Sequence, residues 1–278
     1  MKTSIQRILV PLDPSEFTEA ATLRACEVAM AHGAKLAGLA VLDSPGIRSQ
    51  VSPVDMLHWP LVRDAIMDLE ADAQAKIVEL QNRFAWTCKS HRISHVESDL
   101  TGVPANMILE ASVLHDLVVM GLRTYYHFET REGAGKSLSQ VLTQTSTPIL
   151  AVPKVQSREP FQRVMIAYDG SLSAGRALRD FCGFAEPYDF EITILTAHPD
   201  ESHAEFLLNQ AADCLHVHGI NGFSLQNFKS DSIPVSALEG AELVVAGIHS
   251  KRHFKDLVVG SFTREIIDRG DTAMFLSH

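Results

Sequence analysis

Residues 8–11 are a short apolar run ending just before an aspartate, the pattern of a strand buried on both faces of a parallel sheet. From Ser15 the period lengthens. In SEFTEAATLRACEVAMAHG the apolar residues Phe17, Ala20, Ala21, Leu23, Val28 and Ala31 suit one helix face. Ser15 is placed to cap that helix, and Gly33 stands where a left-handed C-terminal residue is needed. Residues 35–42 read as a second strand, 55–91 as a long helical segment and 94–99 as a third strand. Pro104 opens another helix, and residues 117–121 and 149–152 are the fourth and fifth strands. The alternation then repeats, with strands expected at 164–168, 192–197, 223–228, 243–247 and 274–276. Strands alternating with helices predict an α/β fold with doubly wound parallel sheets.

The recurrence extends to sequence. RILVPLDPS at 7–15 returns as RVMIAYDGS at 163–171, a shift of 156. DLVVMG at 116–121 returns as ELVVAG at 242–247, a shift of 126, and TPILA at 147–151 as TAMFL at 272–276, a shift of 125. Preserved order makes the halves homologous units, the second shorter by about thirty residues. The loss falls in the helix after the second strand and in the one before the fourth. The expected organisation is a first domain at 1–153, a linker at 154–160 bounded by Pro153 and Pro160, and a shortened second domain at 161–278. Each domain is expected to hold five parallel strands.

Composition narrows the class. With 278 residues, 46% hydrophobic and 21% charged, the chain has the profile of a globular protein with substantial cores. A net charge of −10 offers no general footprint for nucleic acid or an anionic membrane. The apolar runs fall far short of the ~20 residues that span a bilayer, and no secretory signal is visible. Cys26, Cys88, Cys182 and Cys214 are scattered without a CxxC pair, which fits thiols in a reducing cytoplasm.

In open α/β sheets ligands sit beyond the carboxyl ends of the strands. Asp13 and Asp169 follow the first strand of each half, and Gly121 and Gly247 end the fourth. Gly260 and Ser261 open a helix whose first amides can bind phosphate, and the Ser261 and Thr263 hydroxyls are placed to join them. The second half reads Gly247-x2-Ser250-x9-Gly260-Ser261, which resembles the universal stress protein motif of glycine, x2, glycine, x9, Gly-Ser. Serine replaces its second glycine. The first half departs further: Gly121-x2-Thr124, ten residues, then Gly135-Lys136.

The resemblance spans nearly the whole chain and implies a tandem protein of the adenine nucleotide alpha hydrolase-like fold. It implies adenine contacts at Asp13 and Asp169, and an adenine wall at Val41 and at Ala197. The implied ligand is ATP or a related adenine nucleotide, with Mg²⁺ as a possible companion, in at least one half; the second is preferred for its intact Gly247–Gly260 spacing. The family also implies pairing of the last strands into an internal pseudo-dimer, with a further homodimer open. The expected role is stress-response regulation in the cytoplasm with little or no turnover. The alternatives are an interaction module with vestigial pockets and a slow ATPase.

Other signals have blander readings. TREGAGKS at 130–137 resembles a phosphate loop, but it lies past the fourth strand and Thr130 stands in place of the first glycine. His216, His218, His249 and His253 cluster in sequence without a metal-ligand spacing, so surface histidines are expected. Asp169, Ser171 and His249 lack a GxSxG elbow, and Ser171 is better read as a helix N-cap; no catalytic residue is expected.

Overall fold

The computed structural model describes residues 5–49, 59–123, 136–155, 160–248 and 260–278. The first half runs β1 (Arg7–Leu12), α1 (Phe17–His32), β2 (Lys35–Leu42), α2 (Ser44–Ser49), α3 (Trp59–Ser90), β3 (His95–Thr101), α4 (Pro104–Ser112), β4 (Leu117–Gly121), α5 (Lys136–Gln144) and β5 (Ile149–Val152). The second runs β6 (Arg163–Ala167), α6 (Leu172–Ala185), β7 (Glu191–Ala197), α7 (Glu201–Val217), β8 (Ser224–Phe228), a 3-10 turn (Val235–Leu238), β9 (Leu243–Gly247), α8 (Ser261–Arg269) and β10 (Ala273–Ser277). The shortening lies where the sequence places it. The 32-residue α3 becomes the 17-residue α7, and α4 becomes the 3-10 turn.

All ten strands form one sheet, ordered β3-β2-β1-β4-β5-β10-β9-β6-β7-β8. Within each half the pairs are parallel and the order reverses beside the first strand. The halves join through β5 and β10, antiparallel, with Met274 opposite Ala151, Phe275 opposite Leu150 and Leu276 opposite Ile149. This is the edge pairing that the family resemblance implies. It covers two strands, buried along their length, whose backbone groups would otherwise lie open at a sheet edge. Apolar side chains on the sheet's two faces build two core clusters, each drawing residues from both halves.

The repeat carries its own fastening. Asp116, before β4, accepts the backbone N–H groups of Gln6 and Arg7 at 2.8 and 2.9 Å. Glu242, before β9, accepts those of Gln162 and Arg163 at 2.7 and 3.0 Å. Each carboxylate satisfies amides at the start of a first strand, which explains an acid at the head of both DLVVMG and ELVVAG.

Helix α1 departs from its expected face. Gly33 ends it in the left-handed conformation, φ 68°, as expected. Ser15 is not its N-cap: Glu16 holds that position, while the Ser15 hydroxyl donates to Asp13 and accepts the Phe17 N–H. Leu23 and Ala31 are exposed, whereas Arg24 and His32 are buried. The cause is tertiary, because the second half covers part of α1. The Arg24 guanidinium lies 4.0 Å from the centre of the Phe161 ring, and His32 Nε2 lies 3.1 Å from the Phe184 carbonyl oxygen. A long side chain that buries its stem and stacks its head on an aromatic suits such a seam better than leucine would.

Candidate functional site

At the carboxyl edge of the second half, β6, β7 and β9 end around a cavity of about 400 Å³. Of the second-half residues singled out from sequence, Asp169, Ala197, Gly247, Gly260, Ser261 and Thr263 all line it; Ser250 lies outside the described residues. Further lining comes from His198, His203 and the loop 231–233, which the sequence reading did not select. The histidines had a signal, since both lie just after the second strand of the half at the ligand-binding edge. Their rings lie 4.4 Å apart, centre to centre. The loop had none: only the packing of the shortened domain brings it to the rim.

Local chemistry shapes each wall. Asp169 Oδ1 accepts the Ser171 N–H at 2.8 Å, a turn that sets up α6. Ser171 caps that helix, its hydroxyl accepting the Ala174 N–H at 3.2 Å, as expected. Gly247 is needed for a reason the sequence did not reveal: a Cβ there would lie 2.5 Å from Ala174 N and 2.6 Å from the Ser173 carbonyl carbon. The glycine therefore makes room for the first turn of α6 packed across the end of β9. Thr263 is buried, and its hydroxyl donates to the Gly247 carbonyl at 3.3 Å, tying α8 to β9. Gly260 is the N-cap of α8, so the first amides of that helix open at the cavity wall.

The matching aspartate of the first half is held differently. Asp13 is fully buried; its carboxylate accepts the hydroxyl protons of Thr18 and Ser15, and its N–H donates to Thr18 Oγ1 at 2.9 Å. At the shift of 156, Ala174 stands in place of Thr18 and cannot do this, which leaves Asp169 lining a cavity. Likewise Phe17 packs against the cluster holding Val41, Met120 and Leu122, where the second half has the small Ser173. Val41 and Gly121 are buried. Thr124 and Gly135 lie outside the described residues. Lys136 begins α5, with its side chain outside them; residues 130–135 of the phosphate-loop-like stretch, His249 and His253 also lie outside them.

Burial pushes the Cys182 thiol up to about 12, with help from the neighbouring Cys214 sulfur. Cys88 is also raised, chiefly by its contact with Cys26 and then by burial. One grouping was missed from sequence: Cys182, Cys214 and His218 bring ligand atoms within 4.8 Å of one another. Among the described residues no helix is long and apolar enough to cross a membrane.

Comparison with known proteins agrees with this architecture. A universal stress protein from Archaeoglobus fulgidus DSM 4304 superposes with a TM-score of 0.71 at 18% identity, covering 98% of this chain and 95% of that one. A putative universal stress protein from Pseudomonas aeruginosa UCBPP-PA14 gives a TM-score of 0.57 at 13% identity, covering 99% and 93%. A functionally unknown protein from P. aeruginosa PAO1 gives 0.59 at 13%, covering 99% and 92%. At these identities the likeness speaks for the fold. No match was found among curated proteins. The profile of the universal stress protein family matches residues 4–153, more than half of the chain. With that match and the doubly wound sheet in both halves, the chain belongs to the universal stress protein family.

Proposed function

We propose that the chain is a cytoplasmic stress-response regulator that binds an adenine nucleotide, ATP or a close relative, in its second half with little or no turnover. The observation that carries this reading is the convergence of Asp169, Ala197, Gly247, Gly260, Ser261 and Thr263 on one cavity of about 400 Å³. That volume lies within the roughly 300–1,000 Å³ typical of small-molecule sites. Asp169 and Ala197 form the end suited to the base. The opening amides of α8 and the Ser261 hydroxyl form the end suited to phosphate, where the helix dipole favours negative charge. Gly247 supports the site indirectly, by letting α6 seat against β9.

The lining favours holding over cutting. Phosphoryl transfer needs a positioned nucleophile and a group to orient it. Asp169 lies at the end assigned to the base and already accepts the Ser171 N–H, so it is not placed as a base for the γ-phosphate. Mg²⁺, in this reading, arrives with the triphosphate. The burial of Asp13 and the hydroxyl protons that its carboxylate accepts from Thr18 and Ser15 support the interaction-module reading for the first half, which would act through its surface.

The test is Gly260→Val in the full chain, read by calorimetry against ATP with far-UV circular dichroism as the folding control. Binding is expected to vanish with secondary structure unchanged. Full affinity in the variant would refute the phosphate assignment. Single-turnover hydrolysis is expected to stay far below about 1 s⁻¹, the low end of ordinary enzyme turnover.

A further inference from the structure

The two halves treat the junction of α1 with α3, and its counterpart of α6 with α7, differently. Cys182 on α6 is the counterpart of Cys26 on α1 at the shift of 156, which also relates the strands on either side. The later helix ends align through their caps. The Ile93 N–H bonds the Cys88 carbonyl at 2.9 Å, and the Ile220 N–H bonds the Leu215 carbonyl at 3.0 Å. Arg92 and Gly219 both take positive φ, 58° and 79°. Cys88 therefore corresponds to Leu215, Thr87 to Cys214, and His91 to His218. Both histidines keep the same bond, Nδ1 to the carbonyl four residues back, at 2.9 Å to Thr87 and 2.8 Å to Cys214.

The consequence is chemical. In the first half the second thiol is Cys88, one position past the residue under the histidine, and it is sealed in the core beside Cys26. In the second half the thiol is at the position under the histidine itself. Cys214 is half-buried, His218 is exposed and Cys182 is buried, so the group faces inward on one side and solvent on the other. A carbonyl can only accept, so His218 Nδ1 carries the proton and its Nε2 lone pair remains for a ligand. That arrangement, a histidine fixed through its other nitrogen, is how metal-binding imidazoles are held.

We propose that Cys182, Cys214 and His218 form a site for a thiophilic d¹⁰ cation, Zn²⁺, with the fourth position open to solvent. Two sulfurs and an imidazole match the ligand preference of Zn²⁺, with Zn–S distances of ~2.3 Å and Zn–N of ~2.0–2.1 Å. Ligand atoms within 4.8 Å of one another converge to those lengths by side-chain rotation from two helix ends. Binding displaces the thiol protons to solvent and leaves both sulfurs as thiolates. The site lies on α6 and the end of α7 and is built from none of the residues lining the cavity described above.

The experiment uses the full chain, reduced and freed of metal, titrated with Co²⁺ as a coloured substitute for Zn²⁺. One equivalent is expected to give thiolate-to-cobalt charge transfer and the intense visible bands of a tetrahedral ion, and Zn²⁺ should bleach both. Cys214→Ser should abolish the charge-transfer band. His218→Ala, at an exposed position, should weaken binding at least tenfold with circular dichroism unchanged, whereas His216→Ala should change it less than twofold. A wild-type spectrum showing only weakly absorbing octahedral cobalt would overturn the proposal. So would an unchanged spectrum in Cys214→Ser, or equal losses in the two histidine variants.

Discussion

Gly247→Ala separates two accounts of the glycine that ends β9. If the glycine served only to admit a ligand, alanine would cost affinity and leave the empty protein as stable as before. The structure predicts otherwise. The new Cβ would meet Ala174 N at 2.5 Å and the Ser173 carbonyl carbon at 2.6 Å, short of ordinary contact by about 0.9 Å. Both atoms are backbone in the first turn of a helix, so no side chain can swing aside. Helix α6 must lift from β9, straining the Ser171 cap and the packing of Ala174, Ala177 and Leu178. Forcing one extra methyl into such a site costs typically ~1–3 kcal/mol, and backbone neighbours place this case at about 2 kcal/mol or above. For a chain of this size that is a fall in Tm of about 3–5 °C. Thermal melts of ligand-free wild type and variant by circular dichroism measure it. A variant melting within about 1 °C of wild type would refute the packing argument and return the glycine to a role in ligand access.

Two further outcomes follow from the same packing. Gly175→Ala, inside α6 with nothing within 4 Å of the added Cβ, should stabilise the protein by roughly 0.5–1 kcal/mol, a rise in the midpoint of chemical unfolding. Burial holds His32 below its usual pKa of 6.5, so the folded state favours the neutral ring. Its contribution is therefore complete above about pH 6.5 and is lost as pH falls below that value towards its depressed folded pKa. Denaturation between pH 7.5 and 5 should show a loss that is smaller in His32→Gln than in wild type, and equal losses would contradict this assignment.

How much of this was legible in the sequence follows from the range of the forces involved. The strands β2, β4, β5 and β9 have the bounds that their apolar runs predict, because a strand buried on both faces must be apolar throughout whatever lies beyond it. The duplication, the shortened helix after the second strand of the second half and the ligand-binding edge follow from residue order alone. That six chosen residues share one cavity follows from strand order, which places the ends of β6, β7 and β9 side by side. Contacts between elements distant in sequence decided the rest. Arg24 and His32 are buried, against the helical pattern of α1, because the second half lies over them. Asp13 is buried against the hydroxyls of Thr18 and Ser15, whereas Asp169, with Ala174 in place of that threonine, lines the cavity. Cys214 meets Cys182 and His218 because α7 ends one residue out of step with α3 relative to its cysteine, which turns that thiol by about 100° around the helix. A pattern read along the chain records which residues avoid water, but not which distant side chain takes water's place.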